Sequence, residues 1–136
     1  AAIFAGDARV TTLSLHGERN YPVRKRASTI DIGLADRTED AAYLEALGAI
    51  LSPLLDRLQP DIVFYNAGVD PHREDRLGRL AMSDAGLARR DRMVVEAVRS
   101  RDLPLAGVIG GGYGSDVDAV ARRHISLFRA AAAFAA

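Results

Sequence analysis

The sequence predicts an α/β domain built on a parallel sheet. Short apolar or β-branched segments at residues 10–16, 62–66 and 105–109 have strand length and end at turn or breaker residues. Two stretches with apolar side chains at helical spacing separate them, and a third follows the last. The order strand, helix, strand, helix, strand, helix is that of parallel strands joined by right-handed crossovers.

Each element has a local reason. Residues 1–7 read as the end of a helix turning into a loop at Gly6. Residues 10–16, Val-Thr-Thr-Leu-Ser-Leu-His, form a strand that Gly17 stops, and residues 29–33 form a weaker one. Residues 17–37 are polar and irregular, with Tyr21-Pro22 as a turn signal. Thr38 is the expected N-cap of a helix, with Glu39 and Asp40 suited to its positive end. Tyr43, Leu44, Leu47, Ile50, Leu51, Leu54, Leu55 and Leu58 mark its apolar face. Pro53 is expected to bend or split it, and Pro60 ends it. Residues 62–66 read as a buried parallel strand. A charged, glycine-containing loop covers 67–83. Ser83 then caps a helix over about 84–101, with Leu87, Met93, Val94, Ala97 and Val98 inward. Pro104 breaks the chain before the strand at 105–109. Gly110-Gly111-Gly112 precedes a last helix over about 116–134.

Composition narrows the function classes. The chain has 136 residues, room for one ordinary domain. Its 49% hydrophobic content is that of a folded protein, not a disordered tail. Eighteen basic and eighteen acidic side chains cancel, which argues against general nucleic-acid or anionic-membrane binding. There is no cysteine, so a disulfide framework, a thiolate metal site and a cysteine nucleophile are excluded. No apolar run approaches the ~20 residues of a membrane span, and no secretory signal is visible, so the expected compartment is cytoplasmic.

Ligands of open parallel sheets gather beyond the carboxyl ends of the strands. Those ends offer His16, the segment from Asn66 to His72, and the segment from Gly110 to Gly114. Asp70 follows an apolar strand and is fixed by Pro71. It is either a metal ligand or general base, or a loop carboxylate accepting backbone N–H bonds. His72 and His16 are ligand candidates or hydrogen-bonded structural histidines; His124 is a surface or packing residue. Tyr113 follows three glycines, which let a ligand approach the backbone, and its hydroxyl can serve as an oxyanion donor. The alternative is a phosphate loop at a helix N-terminus, although no Gly-Lys-Ser/Thr ending is present. Asp75, Arg76 and Gly78 complete the loop after Asp70 and read as a salt-bridged lid.

Taken together, these motifs carry a resemblance. Tyr65-Asn66-Ala67-Gly68-Val69-Asp70-Pro71-His72, continuing to Asp75-Arg76-Leu77-Gly78, resembles the zinc-dependent histone deacetylase superfamily. Ser83 to Asp91 fits the next helix of that family. Gly110-Gly111-Gly112-Tyr113 is similar to the glycine-tyrosine motif, and Ser14-Leu15-His16 to a strand end. The form is that of the class IV-like and bacterial branch. The resemblance implies a three-layer α/β/α, arginase/deacetylase-like fold. It implies that Asp70 is a zinc ligand and that Tyr113 donates to the substrate carbonyl. It also implies that the Ser14 side chain and Leu15 carbonyl hold a monovalent cation such as potassium, with Gly111, Gly112 and His16 at the substrate rim. The implied reaction is hydrolysis of an acyl-amide, as in an acetylated lysine or polyamine. A zinc-activated water would attack, with a histidine taking its proton.

The departures from that family matter as much. Its Asp-x-His motif, which supplies two zinc ligands ahead of a Gly-x-Gly-Thr turn, has no match here, nor has its pair of adjacent histidines. Residues 1–4 resemble the family's segment immediately after that turn. The expectation is therefore the C-terminal half of a catalytic domain. One ligand is too few for a catalytic zinc, so the chain alone should be inactive. Its unpaired strand edges should favour aggregation or oligomerisation. The competing expectations are a non-catalytic module that binds a small ligand or a protein, and a nucleotide-binding domain using Gly110 to Gly114.

Overall fold

A computed structural model of the chain describes residues 1–22 and 24–134. A short 3-10 turn at Ala2–Phe4 stands where the end of a helix was expected. Four strands come after it: β1 (Leu13–Gly17), β2 (Ile30–Leu34), β3 (Val63–Gly68) and β4 (Leu105–Gly110). Three helices alternate with the later strands: α1 (Asp40–Leu58), α2 (Asp84–Arg99) and α3 (Val117–Ala132).

Both strand pairs are parallel, as the element order requires. β1 pairs β2 from Leu13↔Ile30 to Gly17↔Leu34. β3 pairs β4 from Val63↔Leu105 to Gly68↔Gly110. The single expected sheet is instead two separate two-stranded sheets. The chain leaves β2 into α1 and re-enters at β3, which takes β4 rather than β1 as its hydrogen-bonding neighbour.

The α/β class and the parallel pairing thus stand. α1 packs on α2 and α2 on α3, and both α2 and α3 lie against β3 and β4. The larger core joins Tyr43, Leu44, Leu47, Leu51 and Leu55 of α1 to Leu87, Val94 and Val98 of α2, with Leu15, Leu34, Val63 and Leu105 packed against them. A smaller cluster ties Ala67 of β3 to Val95, Leu127 and Ala130. On the other face of the β3–β4 pair, Phe64 is 75% exposed and Val108 52%.

Helix boundaries reflect capping chemistry. α1 starts one residue later than expected, with Glu39 at the N-cap and no side-chain cap. The Thr38 hydroxyl donates back to the Ala35 carbonyl (2.7 Å) and so closes a turn instead. Pro53 does not split α1, which runs continuously past it. α2 begins as expected: Ser83 Oγ accepts from the Gly86 amide (3.0 Å). Ser83 is itself held by Asp40, which accepts from its amide (2.8 Å) and its hydroxyl (2.5 Å). The first residue of α1 thereby fixes the first turn of α2. α3 is capped by Asp116, whose carboxylate accepts from the Ala119 amide (2.9 Å).

Candidate functional site

β3 and β4 end side by side, so the loops after them share one rim. β3 runs two residues further than the apolar run suggested, to Gly68. The Val69 amide then donates to the Gly110 carbonyl (3.0 Å). That bond sets Asp70 beside the glycine loop. A Cβ on Gly111 would overlap Asp70 Oδ1, and a Cβ on Gly68 would lie 2.7 Å from the same oxygen. Two glycines thus make room for one carboxylate. Gly111 and Gly112 also adopt left-handed φ values of 63° and 95°, which L side chains rarely tolerate. Here the glycine run is a steric requirement of the rim.

The Asp70 carboxyl sits in a site that disfavours its charge. Burial raises its pKa above the ordinary carboxylate range, and the nearby Asp75 charge adds to that. A carboxylate in that state is stabilised by a cation beside it. Tyr113 follows the glycines with its side chain 53% exposed. Its amide donates to Asp75 Oδ2 (2.7 Å). The other Asp75 oxygen accepts from the amides of Leu77 (2.9 Å) and Gly78 (2.7 Å).

A further layer of contacts fixes the loop after Asp70. His72 is buried, and burial together with Arg123 lowers its pKa. Its neutral ring accepts the Glu74 amide at Nδ1 (3.1 Å) and turns Nε2 toward Asp84 (3.3 Å). Nδ1 is therefore engaged by the loop backbone, as a structural histidine's would be. Arg123, buried on α3, bridges Glu74 in the loop to Asp84 at the start of α2. The His124 ring lies beside Gly112, as a packing residue. Beneath the rim, Arg90 donates to the Gly68 carbonyl (2.6 Å) and pairs with the fully buried Asp91 (2.8 Å). Tyr65 and Ser126 also donate to Asp91. Burial pushes the Tyr65 phenol up, which keeps it a neutral donor.

The site residues expected from the sequence fall into two groups. Asp70, Gly111, Gly112 and Tyr113 come together at the ends of β3 and β4. Ser14, Leu15 and His16 lie on β1, in the other sheet. Leu15 packs against the larger core, and His16 Nε2 faces Asp31 Oδ2 of β2 at 3.5 Å. Two features were not anticipated: the reach of Asp75 to Tyr113, and the buried Arg90–Asp91 pair. Arg90 and Asp91 lie within a run of charges, Arg89 to Arg92. Nothing in their own spacing marks them as buried.

The donor set decides how far metal ligation can go. Among the described residues there is no group of three or more His, Asp or Glu side chains able to hold a metal ion. Asp70 is the rim carboxylate that could serve as one ligand, and a catalytic zinc centre takes three protein ligands.

The structure is an α/β protein of parallel strands and helices, with Asp70 and the glycine-tyrosine loop at one rim. The model of the histone deacetylase domain matches residues 1–130, and the chain belongs to that family. It is 46% identical over 131 residues to an uncharacterized protein of Picosynechococcus sp., covering 96% of this chain and 44% of that one. It is 34% identical over 110 residues to histone deacetylase 2 of Arabidopsis thaliana, covering 79% and 28%. Its fold is similar to that of acetylpolyamine aminohydrolase from Burkholderia pseudomallei, with a TM-score of 0.71 at 23% identity over 87% of this chain and 36% of that one. The chain thus spans less than half the length of these relatives.

Proposed function

We propose that this chain is the C-terminal portion of the catalytic domain of a cytoplasmic, zinc-dependent deacetylase. Its reaction is hydrolysis of an acyl-amide, in an acetylated lysine or a small acetylated amine. The observation that carries this reading is the meeting of Asp70 and the Gly111–Tyr113 loop at the joined ends of β3 and β4. In the reading, Asp70 supplies one ligand to the metal, whose chemistry when bound is to polarise the carbonyl and activate water. Tyr113 donates its hydroxyl to the carbonyl oxygen as negative charge develops there. Gly111 and Gly112 let the amide approach without side-chain bulk. Ser14 and Leu15 are assigned to a potassium site and His16 to the rim, on the resemblance of their motif. The remaining zinc ligands and the proton-accepting histidine come from residues outside this chain, which alone is inactive.

The phosphate-loop reading is disfavoured by the helix it would use. The N-terminus of α3 carries Asp116 on its own amide and Asp118 in its first turn, and both repel a phosphate.

The test is turnover of an acetyl-lysine peptide by the complete zinc-loaded protein. Tyr113→Phe is expected to lower kcat by about a hundredfold to a thousandfold, the usual loss of an oxyanion donor. Unchanged turnover in that variant would remove the assignment. No turnover by the complete wild-type protein would favour a binding module instead. Robust turnover by this chain alone would contradict its being a partial site.

A further inference from the structure

We infer that Asp75 is a positioning residue for the reaction, one that holds Tyr113 in register with Asp70. The inference rests on the deacetylase reading of those two residues. One oxygen of Asp75 organises its own loop, accepting the amides of Leu77 (2.9 Å) and Gly78 (2.7 Å). That turn presses Gly78 so close beneath Asp70 that a Cβ there would overlap the Asp70 carbonyl. The other oxygen reaches across 38 positions of sequence to the Tyr113 amide (2.7 Å). A single carboxylate therefore touches the segments that carry both candidate groups.

The need for such a tie lies in the glycine loop. β4 ends at Gly110, so its ladder does not extend to Tyr113. Gly111 and Gly112 both sit at positive φ, where glycine has wide backbone freedom. Among the described residues no backbone carbonyl accepts the Tyr113 amide, and the Tyr113 side chain is half exposed with no hydrogen bond of its own. The Asp75 bond is what fixes the backbone at Tyr113. It is a charge-assisted bond to a main-chain donor, among the stronger kinds. An oxyanion donor works only if its hydroxyl is already aimed where charge develops, so loosening this tie lowers the rate while leaving ground-state binding largely intact.

A double-mutant cycle in the complete zinc-loaded enzyme tests this. Asp75→Asn is expected to lower kcat about tenfold to a hundredfold, the loss caused by an ångström-scale misplacement. KM should change by less than about twofold, since ground-state binding is retained. In a Tyr113→Phe background the same substitution should cost less than about twofold, because the group it positions is already gone. Asp75→Glu, which keeps the charge and displaces the carboxylate, should resemble Asp75→Asn and serves if that variant does not fold. Equal losses in the two backgrounds would mean general loop damage and overturn the inference, as would an unchanged kcat. Amide hydrogen exchange at Tyr113 separates this from the parent reading. If Tyr113→Phe leaves turnover intact, the catalytic assignment falls; faster exchange at Tyr113 in Asp75→Asn still upholds the tie, and unchanged exchange refutes it.

Discussion

Asp91 and Asp56 both pair with an arginine, yet their surroundings are opposite. Asp91 is fully buried, with Arg90, Tyr65 and Ser126 all donating to it. Asp56 meets Arg101 at 2.7 Å on the surface, its side chain 63% exposed. Removing one partner of a buried pair strands the other charge, so Asp91→Ala should destabilise the fold by about 3–5 kcal/mol. Asp56→Ala should leave the chemical-denaturation midpoint nearly unchanged, because water replaces the lost partner. Equilibrium denaturation of the two variants measures the contrast, and equal midpoints would refute it. The same pair shows what sequence reading cannot reach at this scale. The meeting of Asp70, Gly111, Gly112 and Tyr113 at one rim was legible because all four follow the ends of neighbouring strands. Arg90 and Asp91 were not, because their burial depends on α3 closing over α2. Asp75 was visible as part of a motif in a charged loop, but its bond to Tyr113 was not, since that partner lies 38 positions away. For Gly111 the steric case is direct: Gly111→Ala forces a Cβ into Asp70 Oδ1 at positive φ. It should abolish turnover in the complete enzyme, and wild-type turnover in that variant would show that the rim is not so crowded.

At the scale of elements, one carboxylate couples two helices. Asp40 opens α1 and receives the amide and hydroxyl of Ser83, the residue that caps α2. Burial opposes its charge, but the Ser83 bonds, with Arg73 and Arg89 nearby, hold its pKa below the ordinary carboxylate range. A carboxyl whose folded pKa is depressed binds fewer protons folded than unfolded. Its contribution is therefore present above the unfolded value and lost as pH falls through the folded one. Asp40→Asn should destabilise the protein at neutral pH by about 1–2 kcal/mol, the scale of hydrogen bonds to a charged group. The difference from wild type should vanish as pH drops below the ordinary Asp range. A difference independent of pH would assign the effect to shape and not to charge. Strand and helix placement was largely legible because it rests on local periodicity and breakers: Pro60 and Pro104 lie just ahead of β3 and β4. The start of α1 departs from expectation because Thr38 satisfies Ala35 in a turn, a competition that capping preference alone does not resolve.

At the scale of the whole molecule, the described residues build a packed series of helices and two short parallel sheets. Pairing partners are long-range properties, and so the split into two sheets was not legible in the element order. The open face of β3 and β4 leaves Phe64 and Val108 in water, and exposed apolar faces promote association. The chain produced by itself should self-associate in sedimentation, and Phe64→Ser combined with Val108→Ser should reduce that. A monodisperse wild-type monomer would count against this view. The central claim is that the chain contributes one metal ligand and an oxyanion donor to a site completed elsewhere. The most direct measurement is zinc stoichiometry by titration calorimetry, on this chain alone and on the complete protein, each with and without Asp70→Asn. One zinc in the complete protein, lost in Asp70→Asn, and no stoichiometric zinc in the chain alone is the result expected. Stoichiometric zinc in the chain alone, or zinc in the complete protein that ignores Asp70→Asn, would contradict it.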